Sequence, residues 1–236
     1  MRKKYTLIVP MLNLSSKYKD KLPIEFQYDN ITGDMNCIKS IFGINLHLVT
    51  SIYFCILKEH QEKYHVIEKI MTEMKKHIGK LEYPPECIFV TMDPTSSQAE
   101  TIYRCIKQYN IEGQILIKDA DNMCIYDEVF MGNCVLVYPL ESTPIVDPQH
   151  KSYISVDDQN FVTNIIEKRV ISNLFNCGGY SFEDASDFVE GDENVQLYEE
   201  VNNHMYISNI IYWLILYKRL KFRPIQAEEY IDFELK

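Results

Sequence analysis

Four short apolar runs, spaced through the first half of the chain, restrict the folds open to this sequence. YTLIVP, SIYFCIL, CIFVT and QILIK predict strands over 5–10, 51–57, 87–91 and 114–118. They are apolar on consecutive rather than alternate positions, which suits strands covered on both faces, as in a parallel sheet. The stretches between them predict helices over 36–44, 60–78 and 98–109. Val66, Ile67, Ile70, Met71 and Met74 recur at helical spacing with lysines opposite, and Ser96 or Ser97 is placed to cap the third helix. Strand and helix in alternation predict an α/β fold whose mostly parallel central sheet is flanked by helices.

The second half changes character. Strands are expected over 133–139, 153–156, 162–166 and 179–182, so close in sequence that antiparallel additions to the sheet follow. Asp157-Asp158-Gln159-Asn160 supplies one turn; a long helix over 199–217 and a last strand over 222–231 complete the chain. No internal repeat, low-complexity stretch or linker divides the 236 residues, so one domain over 1–236 is expected. A net charge of −10 speaks against nucleic acid as a partner, because phosphates need a basic face. The seven cysteines form no C-x-x-C pair and mostly lie in apolar runs, which suits reduced core thiols. The apolar run after MRKK is too short for a signal peptide, and 210–217 is too short to span a bilayer. A cytoplasmic protein without a membrane partner is expected.

In open α/β sheets ligands collect at the carboxyl ends of strands. Asp119 and Asp121 directly follow the fourth apolar run, where carboxylates can hold a hard divalent cation, though aspartates also open loops. Asp232 ends the last expected strand and matters only if folding brings it beside Asp121. Glu167 and Lys168 end another strand and could grip a polar, phosphorylated substrate, or could form an ordinary surface pair. The segment after the first strand carries Leu12, Asn13, Ser15, Ser16, Lys17, Lys19 and Lys21, a phosphate cradle or a solvated lysine loop.

Taken in order, these segments resemble the sugar-phosphate nucleotidyltransferase family, of glycosyltransferase-A type fold, and its branch in capsule and surface-polysaccharide clusters. IVPMLNLSSKY resembles the family's first strand and signature loop, and SSQAETIYRCI the segment that approaches the base. IKDADN resembles the strand end bearing a metal aspartate, VTNIIEKRVISNLFNCGGYSF the Glu-Lys segment with its glycine-containing strand, and FRPIQAEEYIDF the closing strand. The resemblance implies transfer of a nucleotidyl group from a nucleoside triphosphate, with CTP or UTP favoured, to a phosphorylated small metabolite, releasing pyrophosphate. It implies Mg²⁺ held by Asp121 and Asp232, and an acceptor near Glu167, Lys168 and Gly179. Ser97, Gln98 and Asp119 would lie near the nucleotide, with Leu12, Asn13, Ser15 and Ser16 along its phosphates. Lys17, Lys19 and Lys21 would supply catalytic positive charge. Residues 1–125 would then be the nucleotide-binding half and 126–236 the acceptor-binding half, with homo-oligomerisation open.

The chain departs from that family in its loop, where no glycine precedes Gly33 and lysines stand in place of an arginine. Two other readings therefore stay open. One is a glycosyltransferase using Asp119-Ala120-Asp121 as a D-x-D motif on a nucleotide-sugar. The other is a non-catalytic nucleotide- or partner-binding module.

Overall fold

Side chains along the first strand, β1 (Tyr5–Met11), divide between two hydrophobic cores: Leu7, Val9 and Met11 enter one, and Ile8 enters the other. That division follows from the two-residue period of a strand and needs apolar residues at consecutive positions. The same division recurs in β2 (Val49–Leu57), where Ile52, Phe54 and Ile56 face one layer and Cys55 the other. A sheet with an apolar layer on each side is thereby defined by its strands alone. The computed structural model describes residues 5–12, 21–143, 147–198 and 205–235.

Beyond β2 run α2 (Lys58–Tyr64), α3 (Val66–Ile78), β3 (Glu86–Met92), α4 (Gln98–Tyr109) and β4 (Ile115–Lys118); a short α1 (Asn36–Lys39) precedes them. Next come β5 (Asn122–Ile125), β6 (Cys134–Pro139), β7 (Ser152–Val156), β8 (Val162–Glu167) and β9 (Leu174–Phe182). The chain closes with α5 (Ala185–Tyr198), α6 (Ile207–Tyr217), β10 (Arg223–Gln226) and β11 (Glu229–Asp232). Among the described residues the main sheet has nine strands, with the path β10-β6-β9-β4-β1-β2-β3 and the β7–β8 hairpin attached to β9. Strands β1 to β4 pair in parallel, as do β10 and β6, while β9 runs antiparallel between β4 and β6.

Helices cover both faces. Val66, Ile70 and Met74 of α3 enter the first core, and Ala99, Ile102, Cys105 and Ile106 of α4 enter the second, with Phe188 of α5 and Ile210, Ile211 and Leu214 of α6. Phe182 packs edge-to-face on Phe188 and Phe222 at 5.2 and 5.7 Å. Each such pair contributes ~0.5–1.5 kcal/mol beyond its buried area. Six of the seven cysteines are buried and all are free thiols. No described helix is long and apolar enough to cross a membrane.

The α/β class and the mostly parallel sheet agree with expectation, and so do the antiparallel strands of the second half. Four elements differ. The helix expected over 60–78 is two, because His65 adopts φ 50° and ψ 50° and turns the chain between them. The helix expected over 36–44 shortens to the single turn of α1. The expected last strand splits, with β10 joining β6 and β11 pairing antiparallel with β5 in a separate two-stranded ribbon. Of the long helix expected over 199–217, the described residues give α6; α5 lies upstream, where Phe188 and Val195 are too sparse to announce an apolar face.

Candidate functional site

Strand β4 is buried at all four positions and delivers the chain to Asp119 at its carboxyl end. There the backbone N–H of Asp119 donates to the carbonyl of Gly178 at 2.8 Å, joining the end of β4 to β9. Gly178 has φ +79°, and a Cβ on it would lie 2.5 Å from Asp119 Oδ2. Only glycine therefore lets the carboxylate sit so close to the β9 backbone. From the other side, Gln98 Nε2 donates to Asp119 Oδ1 at 2.6 Å. Gln98 is the first residue of α4, which Ser97 caps by accepting the Glu100 N–H at 3.1 Å.

The next turn is held from inside by a lysine. Lys118 is 1% exposed, and its ammonium donates to the carbonyls of Asp119 and Asn122 and to Asn122 Oδ1, at 3.0, 3.1 and 2.7 Å. Three acceptors match its three donors, so a charge inside the sheet is fully bonded. Asp121, at the top of this turn, is exposed to solvent. Its carboxyl is raised above the usual carboxylate range by desolvation first and by Asp119 next, with Asp232 adding; Lys151 and Lys118 offset part of this. Asn122 Nδ2 donates to Asp121 Oδ1 at 2.9 Å.

The ribbon brings the distant carboxylate in. Asp232 of β11 pairs with Asn122 of β5, and the N–H of Phe233 donates to the carbonyl of Asp121 at 3.0 Å. Cross-strand Cα atoms in such a pair are only ~4.5–5.5 Å apart, so Asp121 and Asp232 are neighbours. Lys151, just before β7, donates to Asp232 Oδ2 at 3.0 Å and to the Tyr230 hydroxyl at 2.7 Å. The Tyr230 hydroxyl donates in turn to the same carboxylate oxygen at 3.0 Å. Burial works against the Lys151 ammonium, but Asp232 and Asp121 outweigh it and hold its pKa above that of an ordinary lysine.

Glu167 lies across the hairpin from Ser152, and the Lys168 N–H donates to the carbonyl of Lys151 at 2.9 Å. Ser208 Oγ donates to Glu167 Oε2 at 3.2 Å, and burial foremost raises the Glu167 carboxyl. Lys168 has φ 57°, and its exposed side chain donates to the Tyr206 hydroxyl at 2.7 Å. Folding thus brings Gln98, Asp119, Asp121 and Asp232 together at the carboxyl end of β4, with Glu167 and Lys168 joined to them through Lys151. Gly179 is buried with Leu136 against its Cα, so the glycine facing Asp119 is Gly178. Leu12 follows β1 and packs on the second core, and Lys21 is exposed. Asn13, Ser15, Ser16, Lys17 and Lys19 lie outside the described residues.

Lys151, Tyr230 and Lys118 complete the cluster and were not foreseen. Lys151 had no signal of its own, standing in a polar turn before a short strand. Lys118 ends an apolar run, and a lysine inside a buried strand is itself a signal, because such a charge must be partnered.

A divalent cation suits these groups. Three carboxylates face Lys151, while the Lys118 ammonium is spent on backbone and amide oxygens, so negative charge remains in excess. Hard oxygen donors with one or two carboxylates match Mg²⁺, which fills its other positions with water and phosphate. A cavity of roughly 950 Å³ lies elsewhere, near Gln114, Cys134 and Arg223 at the amino ends of β4, β6 and β10. Ligands of open α/β sheets gather at the opposite ends, so the carboxylates rather than this hollow locate the site.

No protein-family model and no curated protein sequence matches the chain. Solved structures do match in fold. A nucleoside-diphosphate-sugar pyrophosphorylase from Vibrio cholerae RC9 superposes with a TM-score of 0.72 at 18% identity, covering 98% of this chain and 96% of that one. The inositol-1-phosphate CTP transferase of T. maritima gives 0.71 at 12%, covering 97% and 89%. A UDP-glucose pyrophosphorylase complexed with UDP-glucose gives 0.69 at 11%, covering 95% and 92%. At these identities the likeness is one of fold.

Proposed function

We propose that the chain is a metal-dependent nucleotidyltransferase that joins a nucleoside triphosphate to a phosphorylated small metabolite and releases pyrophosphate. The observation that carries this reading is the pairing of Asp232 with Asn122, which sets Asp232 beside Asp121 at the carboxyl end of β4. Matching solved structures are described as pyrophosphorylases and a CTP transferase, which supports the same reaction class. An acceptor phosphate oxygen bonds to the α-phosphorus as the bond to the β-phosphate oxygen breaks, and the electron pair leaves on pyrophosphate. Such transfer needs positive charge and alignment rather than a covalent nucleophile.

Asp121 and Asp232 would hold Mg²⁺. When bound, the ion would neutralise charge on the triphosphate. Lys151, fixed by Asp232 and Tyr230, would present an ammonium beside the same phosphates. Gln98 holds Asp119 against the Gly178 backbone and so shapes the nucleotide side. Glu167 and Lys168 would face the acceptor, whose phosphate suits the exposed lysine. The segment 13–20 would approach the triphosphate with Ser15, Ser16, Lys17 and Lys19, and Lys21 follows it. A role in supplying surface-polysaccharide precursors rests on the sequence resemblance alone.

Thermal unfolding with CTP, UTP, GTP, ATP and dTTP, each with and without Mg²⁺, tests this. A ligand at about 100 times its Kd adds about 2.7 kcal/mol. One triphosphate should raise the unfolding temperature only with Mg²⁺, and Asp121→Asn or Asp232→Asn should abolish the rise. The same protein should release pyrophosphate when a sugar or polyol phosphate is added. Stabilisation by nucleotide-sugars alone, or by no nucleotide, would overturn the proposal.

A further inference from the structure

Helix α3 carries Glu73 and His77 one turn apart on one face, and both reach toward Asp34 on the turn before α1. That turn is closed by the Gly33 N–H on the Asp29 carbonyl and the Asp29 N–H on the Asp34 carbonyl, both at 2.8 Å. One ligand atom from each of Asp34, Glu73 and His77 lies within 4.8 Å of the other two. No other trio of His, Cys, Asp or Glu side chains among the described residues meets that spacing.

Two observations point to a ligand between them. The Glu73 side chain is only 5% exposed; its Oε1 accepts from Lys76 at 2.7 Å, while its Oε2 is buried with no hydrogen-bond partner. His77 Nε2 is also buried and makes no hydrogen bond, although Asp34 Oδ1 is 3.2 Å away. The two atoms are close but misaligned for an N–H···O bond. Two atoms bound ~2.0–2.2 Å from a shared ion are separated by about 3.0 Å at an octahedral angle and about 3.5 Å at a tetrahedral one. The observed contact falls between them. Leaving two polar atoms buried and unbonded costs on the order of 1–3 kcal/mol each, and one cation would satisfy both.

We propose that Asp34, Glu73 and His77 bind one divalent transition-metal ion, at a site separate from the Asp121–Asp232 cleft. One imidazole nitrogen with two carboxylate oxygens is a borderline donor set that suits Zn²⁺, Co²⁺ or Mn²⁺ over Ca²⁺. Three protein ligands leave at least one position for water. Asp34 and His77 side chains are 22% and 31% exposed, which provides an entry path. The ion takes Glu73 Oε2 and leaves Lys76 on Oε1. Bound there, it would tie the 29–34 turn to α3.

The test uses the full chain, stripped with chelator and titrated with ZnCl₂, with metal content measured after desalting and unfolding temperature recorded in parallel. One zinc per chain should be retained, with a higher unfolding temperature. Co²⁺ in its place should give visible absorption bands from a nitrogen–oxygen site. Losing outer-shell support alone weakens metal binding about 10–100-fold, so Asp34→Asn and His77→Gln should each cost at least that. Asp34 lies on a partly exposed turn, which keeps one variant informative if His77→Gln folds poorly. Asp121→Asn should still take up its zinc. Unsaturable uptake, equal uptake by the Asp34→Asn/His77→Gln double variant, or loss of uptake in Asp121→Asn would overturn the proposal.

Discussion

Glu25 is a side chain whose surroundings conflict with its chemistry. It is 3% exposed, and its Oε1 has no partner among the described residues. Burial foremost, with some repulsion from Asp121 and Glu234, pushes its carboxyl up to about 8. The sign follows from which state keeps the proton. Unfolded chains release it near 4.5, whereas the folded protein holds it to about 8, so stability falls as pH rises between those values. Glu25→Gln removes the conflict while keeping the shape. Urea unfolding should show the variant equal to the parent near pH 4 and more stable by a few kcal/mol at pH 8, each pKa unit being ~1.4 kcal/mol. Equal stability at both pH values would mean that the Glu25 carboxylate has a compensating cation. At this scale the sequence showed part of the cluster: Asp119 and Asp121 stand out because they directly follow an apolar run, and Glu167 because it ends a strand, whereas Asp232 is singled out only by the resemblance of its closing segment. Lys151 and Tyr230 were not legible, because their importance comes from a neighbour about 80 positions away in the chain.

Between the elements, the chain turns where no glycine or proline marks it. His65 ends α2 and begins α3 in the left-handed region, and its N–H caps the Gln61 carbonyl at 2.9 Å. A side chain there costs ~1–2 kcal/mol of backbone strain, which glycine escapes at some cost in chain entropy. His65→Gly should therefore stabilise by about 0.5–1 kcal/mol, read by chemical denaturation, and His65→Val should destabilise by at least as much. The apolar spacing of Val66, Ile70 and Met74 predicted a helix here and could not reveal a break made by one backbone angle. The division of 222–231 into β10 and β11 is equally silent: Ala227 N–H bonds Val137 and Glu228 N–H bonds Ile125, so adjacent residues join different sheets. Helix α4 was legible to the residue, because Ser97 announces its start and Asn110, at φ 48°, closes it.

Over the whole molecule, the site straddles two bodies of unequal cohesion. The nine-stranded sheet is covered on both faces, whereas β5 and β11 form a two-stranded ribbon. Two strands alone are marginal in water, so the ribbon should open at lower free energy than the sheet. Hydrogen exchange should find the slowest amides in β1, β4 and β9 and faster ones in β5 and β11; under the function proposed above, Mg²⁺ with a nucleoside triphosphate should slow the ribbon. Ribbon exchange as slow as that of β1 would contradict this. Strand β9 has a different consequence, for birth on the ribosome. It fills the slot between β4 and β6, yet it is made after both. Synthesis at about 5–20 residues per second leaves β4 with a bare edge for several seconds. During that interval the nascent chain offers an apolar, unpaired strand to whatever stands at the tunnel exit, and a chaperone waiting there would meet this protein half-built at its centre.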